Sequence, residues 1–308
     1  MFGHVLVPLD GSPEGASAIP AAHVLAALAG ARITLVMVVP PQPIADEGAF
    51  EDAAAYLRRV GRELSAADSH PLDVVVRQGD PAAAILEEVD AGRADLVVMA
   101  TRRWEHPAQP LVRSVAEQVA ARSPVPVVLV RPGGRRLAAI KTILVPVDGT
   151  SGGARALRTA VDMAHASGAR LVVVEVVPRM PLFVSDALRG TRIGRYLDPA
   201  WVEAEQARAS TYVEGLVARL RRVGLEAEGT TPGGVVAQTI AETAAEREAD
   251  IIVMSTRARR GVSRALLGSV AADVVRCADR PVLLVRRGAR TTRRRVATGL
   301  GAADDPVA

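Results

Sequence analysis

Cysteine is almost missing from this chain. One residue in 308, Cys277, cannot form a disulfide within the chain, which fits a reducing compartment. Cys277 itself reads as a small hydrophobe on a helix. Aromatic residues are also scarce, 3% of the chain against 49% hydrophobic residues in all. The core must therefore be built from Val, Leu, Ile and Ala, as parallel sheets covered by helices are. Long apolar runs are lacking too. The longest stretch without Asp, Glu, Lys or Arg is Gly15–Ala31, which is Ala-rich, contains Pro20 and His23, and is too short to span a bilayer. Met1-Phe2-Gly3-His4 runs straight into a strand-like segment without a signal-peptide pattern. The expectation is a soluble, cytoplasmic protein with no membrane partner. The histidines, His4, His23, His70, His106 and His165, are scattered without metal-ligand spacing, so no metal site is expected. His106, beside Trp104, reads as a surface-loop residue.

The net charge is only +4, and much of the excess is local. Arg286, Arg287, Arg290, Arg293, Arg294 and Arg295 crowd the C-terminal end. No aromatic residue interleaves with them, so there is no platform for base stacking. Residues 288–308 are read as a basic, disordered tail rather than a nucleic-acid surface.

What the sequence does contain is a repeat. His4-Val5-Leu6-Val7-Pro8-Leu9-Asp10-Gly11-Ser12 returns as Thr142-Ile143-Leu144-Val145-Pro146-Val147-Asp148-Gly149-Thr150, 138 residues on. Ala31–Pro40 returns as Ala169–Pro178 at the same offset, with Glu175 opposite Met37. Ala94–Met99 matches Ala249–Met254, and Pro126–Arg131 matches Pro281–Arg286, both at an offset of 155. The second copy thus carries 17 more residues (155 against 138), placed around Arg179–Pro199. This insert, with Phe183, Tyr196 and nearby Trp201, suits a lid, a partner surface or a packed helical hairpin.

Each copy alternates short β-branched runs, suited to burial on both faces, with Ala-rich helical stretches. In the first copy the strands are expected near His4–Leu9, Arg32–Val39, Leu72–Arg77, Asp95–Thr101 and Val127–Arg131. Helices are expected at Glu51–Ser65 and Pro81–Val89. Gly30 and Gly168 stand where helix C-caps belong, and Pro20 should kink the first helix. The pattern predicts an α/β fold: two repeated open five-stranded parallel sheets with helices on both faces. Pro132–Arg136 is the linker.

Ligands of open α/β sheets bind beyond the carboxyl ends of the strands. Two features should meet there in the second copy. One is Asp148-Gly149-Thr150, which ends strand one. The other is Ser255-Thr256-Arg257-Ala258, then nine residues, then Gly268-Ser269, which ends strand four and opens a helix. Unpaired N–H groups at a helix N-terminus attract phosphates, small residues allow close approach, and Arg257 or Arg259 can add charge. Asp148 can accept from ribose hydroxyls. Taken alone, Asp-Gly-Thr is equally a turn and helix cap.

These motifs, with Leu266–Val270 and Arg280–Val285, resemble universal stress protein domains over roughly residues 2–131 and 140–286. The resemblance implies strand order 3-2-1-4-5, domain pairing through strand five, homodimers in many members, and ATP, with or without magnesium, as the ligand of a stress-response regulator. It divides the chain into a domain at 1–131 with a degenerate phosphate loop and one at 140–287 with a better-kept site. The nucleotide-binding set is then Asp148, Gly149, Thr150, Val176, Ser255, Arg257, Ala258, Arg259, Gly268, Ser269 and Val270. The family's glycines are Ser255 and Ala258 here. In the first copy the corresponding set is Asp10, Gly11, Ser12, Ala100, Arg103, Arg113 and Ser114. Arginines replace two glycines, and Pro107 and Pro110 lack N–H groups, so this site is expected to be weaker or vestigial. No catalytic residue is expected, and at most weak ATP hydrolysis.

Two other readings stand beside the regulator. One is an interaction scaffold that binds no nucleotide. The other is an ATP-using enzyme of related fold, suggested by Ser151-Gly152-Gly153, but Arg155 and Ala156 stand where such a loop continues with aspartate and serine.

Overall fold

A computed structural model of the chain describes residues 1–41, 47–65, 70–101, 114–150, 153–179, 199–256 and 267–286. In the first copy the elements are β1 (His4–Leu9), α1 (Pro13–Ala16), α2 (Ile19–Ala29), β2 (Arg32–Val39), α3 (Glu47–Ser65), β3 (Leu72–Gln78), α4 (Pro81–Glu88), β4 (Leu96–Ala100), α5 (Val115–Arg122) and β5 (Val127–Val130). The second copy has β6 (Thr142–Pro146), α6 (Ala154–Ser167), β7 (Arg170–Val174), β8 (Val177–Pro178), α7 (Pro199–Arg222), β9 (Ala227–Thr230), β10 (Gly233–Gly234), α8 (Val236–Glu246), β11 (Ile251–Thr256), α9 (Ser269–Cys277) and β12 (Val282–Arg286). The short β8 and β10 pair only with each other. Among the described residues, no helix is long and apolar enough to cross a membrane.

The ten long strands form one sheet, in order β3-β2-β1-β4-β5-β12-β11-β6-β7-β9. Each copy is parallel within itself and has the order 3-2-1-4-5 expected from the resemblance. The copies join where β5 runs antiparallel to β12, with Leu129 opposite Val282, Val128 opposite Leu283 and Val127 opposite Leu284. Every residue of β5 is buried. An apolar strand left as an edge would expose unpaired N–H and C=O groups; pairing the two fifth strands removes both edges at once.

Alternation along the strands sorts the core into two layers. Val128, Val130, Leu283 and Val285 face α2, α3, α6 and α7. Val127, Leu129, Val282 and Leu284 face α4, α5, α8 and α9. Each layer runs unbroken from one copy into the other. Two arginines brace the junction with the same approximate twofold symmetry. Arg131 donates to the carbonyls of Arg276 and Cys277 at the end of α9, and Arg286 donates to the carbonyl of Arg122 at the end of α5. A cation there meets the unpaired carbonyls and the negative end of the helix dipole. The linker is tied to the second copy: Arg135 N–H donates to the Asp279 carbonyl at 2.6 Å, and Leu137 and Ile140 are buried.

Gly30 and Gly168 end α2 and α6 in the left-handed conformation, with φ of +59° and +70°, as a C-cap glycine does. The expected kink at Pro20 takes a different form. The chain breaks into α1 and α2, and Pro20 stands in the first turn of α2, where its missing N–H costs no helical bond. The expected tail and most of the insert, residues 287–308 and 180–198, lie outside the described residues, as do Trp104 and His106.

Candidate functional site

In each copy strand one lies between strands two and four, so a crevice opens at their carboxyl ends where the strand order reverses. The turn leaving strand one is built alike in both copies. Asp10 Oδ1 accepts from the Ser12 N–H at 3.0 Å and the Ser12 hydroxyl at 2.5 Å. Asp148 Oδ1 accepts from the Thr150 N–H at 3.1 Å and the Thr150 hydroxyl at 2.6 Å. Gly11 and Gly149 have φ of +82° and +67°, a conformation in which a side chain is strained.

Beyond the turn the copies diverge. The first copy has a cavity of about 550 Å³, lined by Asp10, Gly11, Val38, Tyr56, Ala100 and Ser114 among others. Four residues of the set expected to be vestigial, Asp10, Gly11, Ala100 and Ser114, are therefore gathered around one open space. Ser12 instead caps α1, its hydroxyl accepting from the Gly15 N–H at 2.9 Å. Arg103 and Arg113 lie outside the described residues.

In the second copy an ion pair sits at the corresponding place. Glu175 takes the position of Met37, and Arg208 that of Asp52. The helix correspondence follows the buried face, with Ala209, Tyr212, Val213 and Leu216 of α7 matching Ala53, Tyr56, Leu57 and Val60 of α3. Arg208 donates to Glu175 Oε1 at 2.5 Å and to Glu205 Oε1 at 2.7 Å. Its guanidinium lies against the Asp148-Gly149 turn: a Cβ placed on Gly149 would come within 2.9 Å of it. Glu175 is 4% exposed, and its Oε2 is buried without a hydrogen-bond partner. Burial pushes the Glu175 carboxyl above its ordinary range, while the hydrogen bond and charge of Arg208 pull it back. Hydrogen bonds to Glu205 and then Glu175 raise Arg208 above its ordinary value.

The helix that follows strand four differs in the opposite sense. In the first copy Ser114 closes the N-terminus of α5 in a capping box. Its hydroxyl accepts from the Glu117 N–H at 3.2 Å, and Glu117 Oε2 accepts from the Ser114 N–H at 3.3 Å. Two N–H groups and the positive end of the helix are thereby satisfied from within. In the second copy Gly268 is the N-cap of α9 and offers no side-chain bond. Among the described residues no side chain caps the N-terminus at Ser269 and Val270, and Val270 is exposed.

The other expected residues fall as follows. Ser255 is near the end of β11 and half-buried, while Val176 is buried in the layer under α8. Arg257, Ala258 and Arg259 lie outside the described residues, as do Ser151 and Gly152; Gly153 is the N-cap of α6. Among the described residues, no group of three or more His, Cys, Asp or Glu is placed to hold a metal ion. Sequence reasoning missed the Glu175–Arg208 pair. Its signal was the carboxylate opposite Met37 in an otherwise apolar repeat block.

Fold and site together define a tandem of two doubly wound α/β units, each with an Asp-Gly turn at its switch point. The universal stress protein family model matches the chain twice, over residues 1–131 and 139–286. A Thermus aquaticus protein described as "Universal stress protein in QAH/OAS sulfhydrylase 3'region" is 35% identical over 146 residues, 47% of this chain and 98% of its own. Universal stress protein MJ0531 of Methanocaldococcus jannaschii is 32% identical over 149 residues, 48% of this chain and 82% of its own. A crystal structure of a universal stress protein from Archaeoglobus fulgidus aligns over 92% of this chain and 96% of its own with a TM-score of 0.71 at 21% identity, a likeness of fold. The chain belongs to the universal stress protein family, as a tandem member.

Proposed function

We propose that this protein is a cytoplasmic adenine-nucleotide-binding regulator of the stress response, and that the second copy holds ATP. The observation that carries this reading is the neighbourhood of two elements at one switch point: the Asp148-Gly149-Thr150 turn after β6, and the uncapped N-terminus of α9 after β11, the strand paired with β6. The turn suits a sugar. The helix end suits phosphates, because its N-cap, Gly268, has no side chain to accept from its N–H groups. Ser255, Gly268, Ser269 and Val270 are the residues that would meet the phosphate chain, joined by Arg257, Ala258 and Arg259 from the loop between. Magnesium, if carried, arrives with the phosphates rather than on a carboxylate cluster.

Arg208 lies against the turn, so it must swing aside for a sugar to approach Asp148. It is 45% exposed, so its side chain can turn outward to solvent, at the cost of its bond to Glu175. Turnover is slow in this reading. Asp148 bonds Thr150, and among the described residues no other base is positioned beside the helix end. Homodimerisation is a family expectation that the tandem pairing through β5 and β12 neither requires nor prevents.

Calorimetric titration with ATP and magnesium tests the proposal on three proteins: unaltered, Asp148→Ala and Asp10→Ala. Asp148→Ala should weaken ATP binding at least about tenfold, the effect of about 1.4 kcal/mol, and Asp10→Ala should change it little. Equal losses, or the reverse order, would contradict the assignment to the second copy.

A further inference from the structure

With β5 and β12 spent on each other, the ten-stranded sheet ends at β3 on one side and at β9 on the other. The β9 end is blunted. It has four residues, and Glu228 carries ion pairs to Arg170 and Arg247, as edges that resist pairing do. The β3 end is built otherwise. Its seven residues, Leu72-Asp73-Val74-Val75-Val76-Arg77-Gln78, hold no proline, glycine or lysine, and none of them is buried. Two bonds to β2 fix which backbone groups stay outside. The Ile33 N–H donates to the Pro71 carbonyl, and the Gly79 N–H donates to the Val39 carbonyl. The odd-numbered residues therefore pair with β2, and Leu72, Val74, Val76 and Gln78 turn their N–H and C=O groups outward. Beside them a groove of about 600 Å³ opens between β3 and α3, lined by Leu72, Val74, Ala55, Gly61, Arg58 and Arg62 among others.

We propose that this edge docks a second copy of the chain, β3 against β3, antiparallel, about a twofold axis at Val75. The strand is self-complementary in that register. Val75 lies opposite the partner's Val75, Val74 opposite the partner's Val76, Leu72 opposite the partner's Gln78, and Asp73 opposite the partner's Arg77. Outward-turned residues then face outward-turned residues, so their N–H and C=O groups satisfy one another. Asp73 and Arg77 fall at a position without ladder bonds, where side chains come closest, and the axis makes their ion pair twice. Asp73 is 49% exposed and Arg77 39%, so each can reach across while keeping Arg32 or Glu88. Helix α3 obeys the same axis. Gly61 stands against Leu72, whose side chain a Cβ on Gly61 would meet at 2.8 Å. The three steps from Leu72 to Val75 span about 10 Å, the rise of about six to seven helical residues, which brings Ala55 level with Val75. Ala55 is small and exposed; on its face Glu51 lies one turn before it, and Arg58 and Arg62 follow it. Two antiparallel copies of α3 thus set Glu51 against the partner's basic half instead of arginine against arginine. Such a pair closes on itself and covers an edge that would otherwise template pairing with other chains. Neither switch point takes part, so ATP binding and dimerisation can fail separately.

Sedimentation equilibrium of the full chain should show a dimer. Val74→Pro should give a monomer with unchanged helix and strand content, because the Val74 N–H points outward and its loss breaks no bond to β2. Asp73→Arg, at an exposed position where the fold is not at stake, places arginine opposite arginine twice and should raise the dimer dissociation constant at least about tenfold. Val75→Cys tests the register, in a background with the exposed Cys277 replaced by Ser. Residues opposed at such a position have Cα atoms about 4.5 Å apart, within disulfide reach, so mild oxidation should link this variant into a covalent dimer. A monomeric unaltered chain, a dimer that Val74→Pro or Asp73→Arg leaves intact, or no linkage through position 75 would overturn the assignment.

Discussion

Replacing Arg208 by alanine should lower the stability of the protein by about 2 kcal/mol at neutral pH, an unusually large effect for a side chain that is nearly half exposed. The cause is its partner. Glu175 is 4% exposed with Oε2 already unpartnered; without Arg208, Oε1 loses its partner too. Breaking a buried pair from one side costs about 3–5 kcal/mol, and the figure falls here because the space left by Arg208 admits water to the carboxylate. The loss should depend on pH with a definite sign. Burial raises the folded-state pKa of Glu175, and Arg208 opposes that rise, so removing Arg208 raises it further. A raised carboxyl favours the folded state most below its unfolded value of about 4.3, and that contribution is lost as pH rises through the folded value. The variant should therefore lie closest to the parent in acid and fall away towards neutrality. Denaturant melts at several pH values read this directly. Glu175→Gln in the Arg208→Ala background should recover most of the loss at neutral pH. A deficit that does not vary with pH, or one that the second substitution leaves in place, would show that Arg208 acts by packing alone.

A proline in β12 should do greater damage. Leu284 sits in a strand paired on both sides, parallel to β11 and antiparallel to β5. Leu284→Pro removes a ladder N–H and crowds the pleat, at about 3 kcal/mol or more. The site also makes this more than a local wound, because both core layers cross the junction unbroken. The unaltered chain should melt as one cooperative unit in a calorimeter. The proline variant should melt earlier and in two steps, as the copies lose their shared strand pair. Two separate transitions in the unaltered protein would mean that the β5–β12 seam is weaker than its buried strands imply.

The fold was largely written in repeat spacing. His4–Leu9 and Arg32–Val39 were bounded to the residue, because β-branched runs buried on both faces end abruptly at Asp10 and Pro40. Pro20 was placed inside a helix, but in the structure it starts one, since the sequence alone does not say where the preceding turn stops. The Asp-Gly turns were equally legible, because a left-handed glycine and a self-bonded aspartate are local events. Less of the site could be read. That Glu175 was out of place among Leu171, Val172, Val173 and Val174 was visible. That Arg208 would meet it was not: the pairing depends on the packing of α7, whose register shifts by one residue relative to β9. The capping box at Ser114 and Glu117 was likewise visible as Ser-x-x-Glu, but the loss of the family's glycines drew attention to the loop instead of the helix end.

In the proposed function the two switch points are unequal, and the second takes the nucleotide. Native mass spectrometry of the full chain titrated with ATP tests it most directly, because each bound nucleotide adds its own mass. A single ATP per chain is expected at saturation, lost in Asp148→Ala and kept in Asp10→Ala. Two ATP per chain, or one that survives Asp148→Ala and disappears with Asp10→Ala, would contradict it.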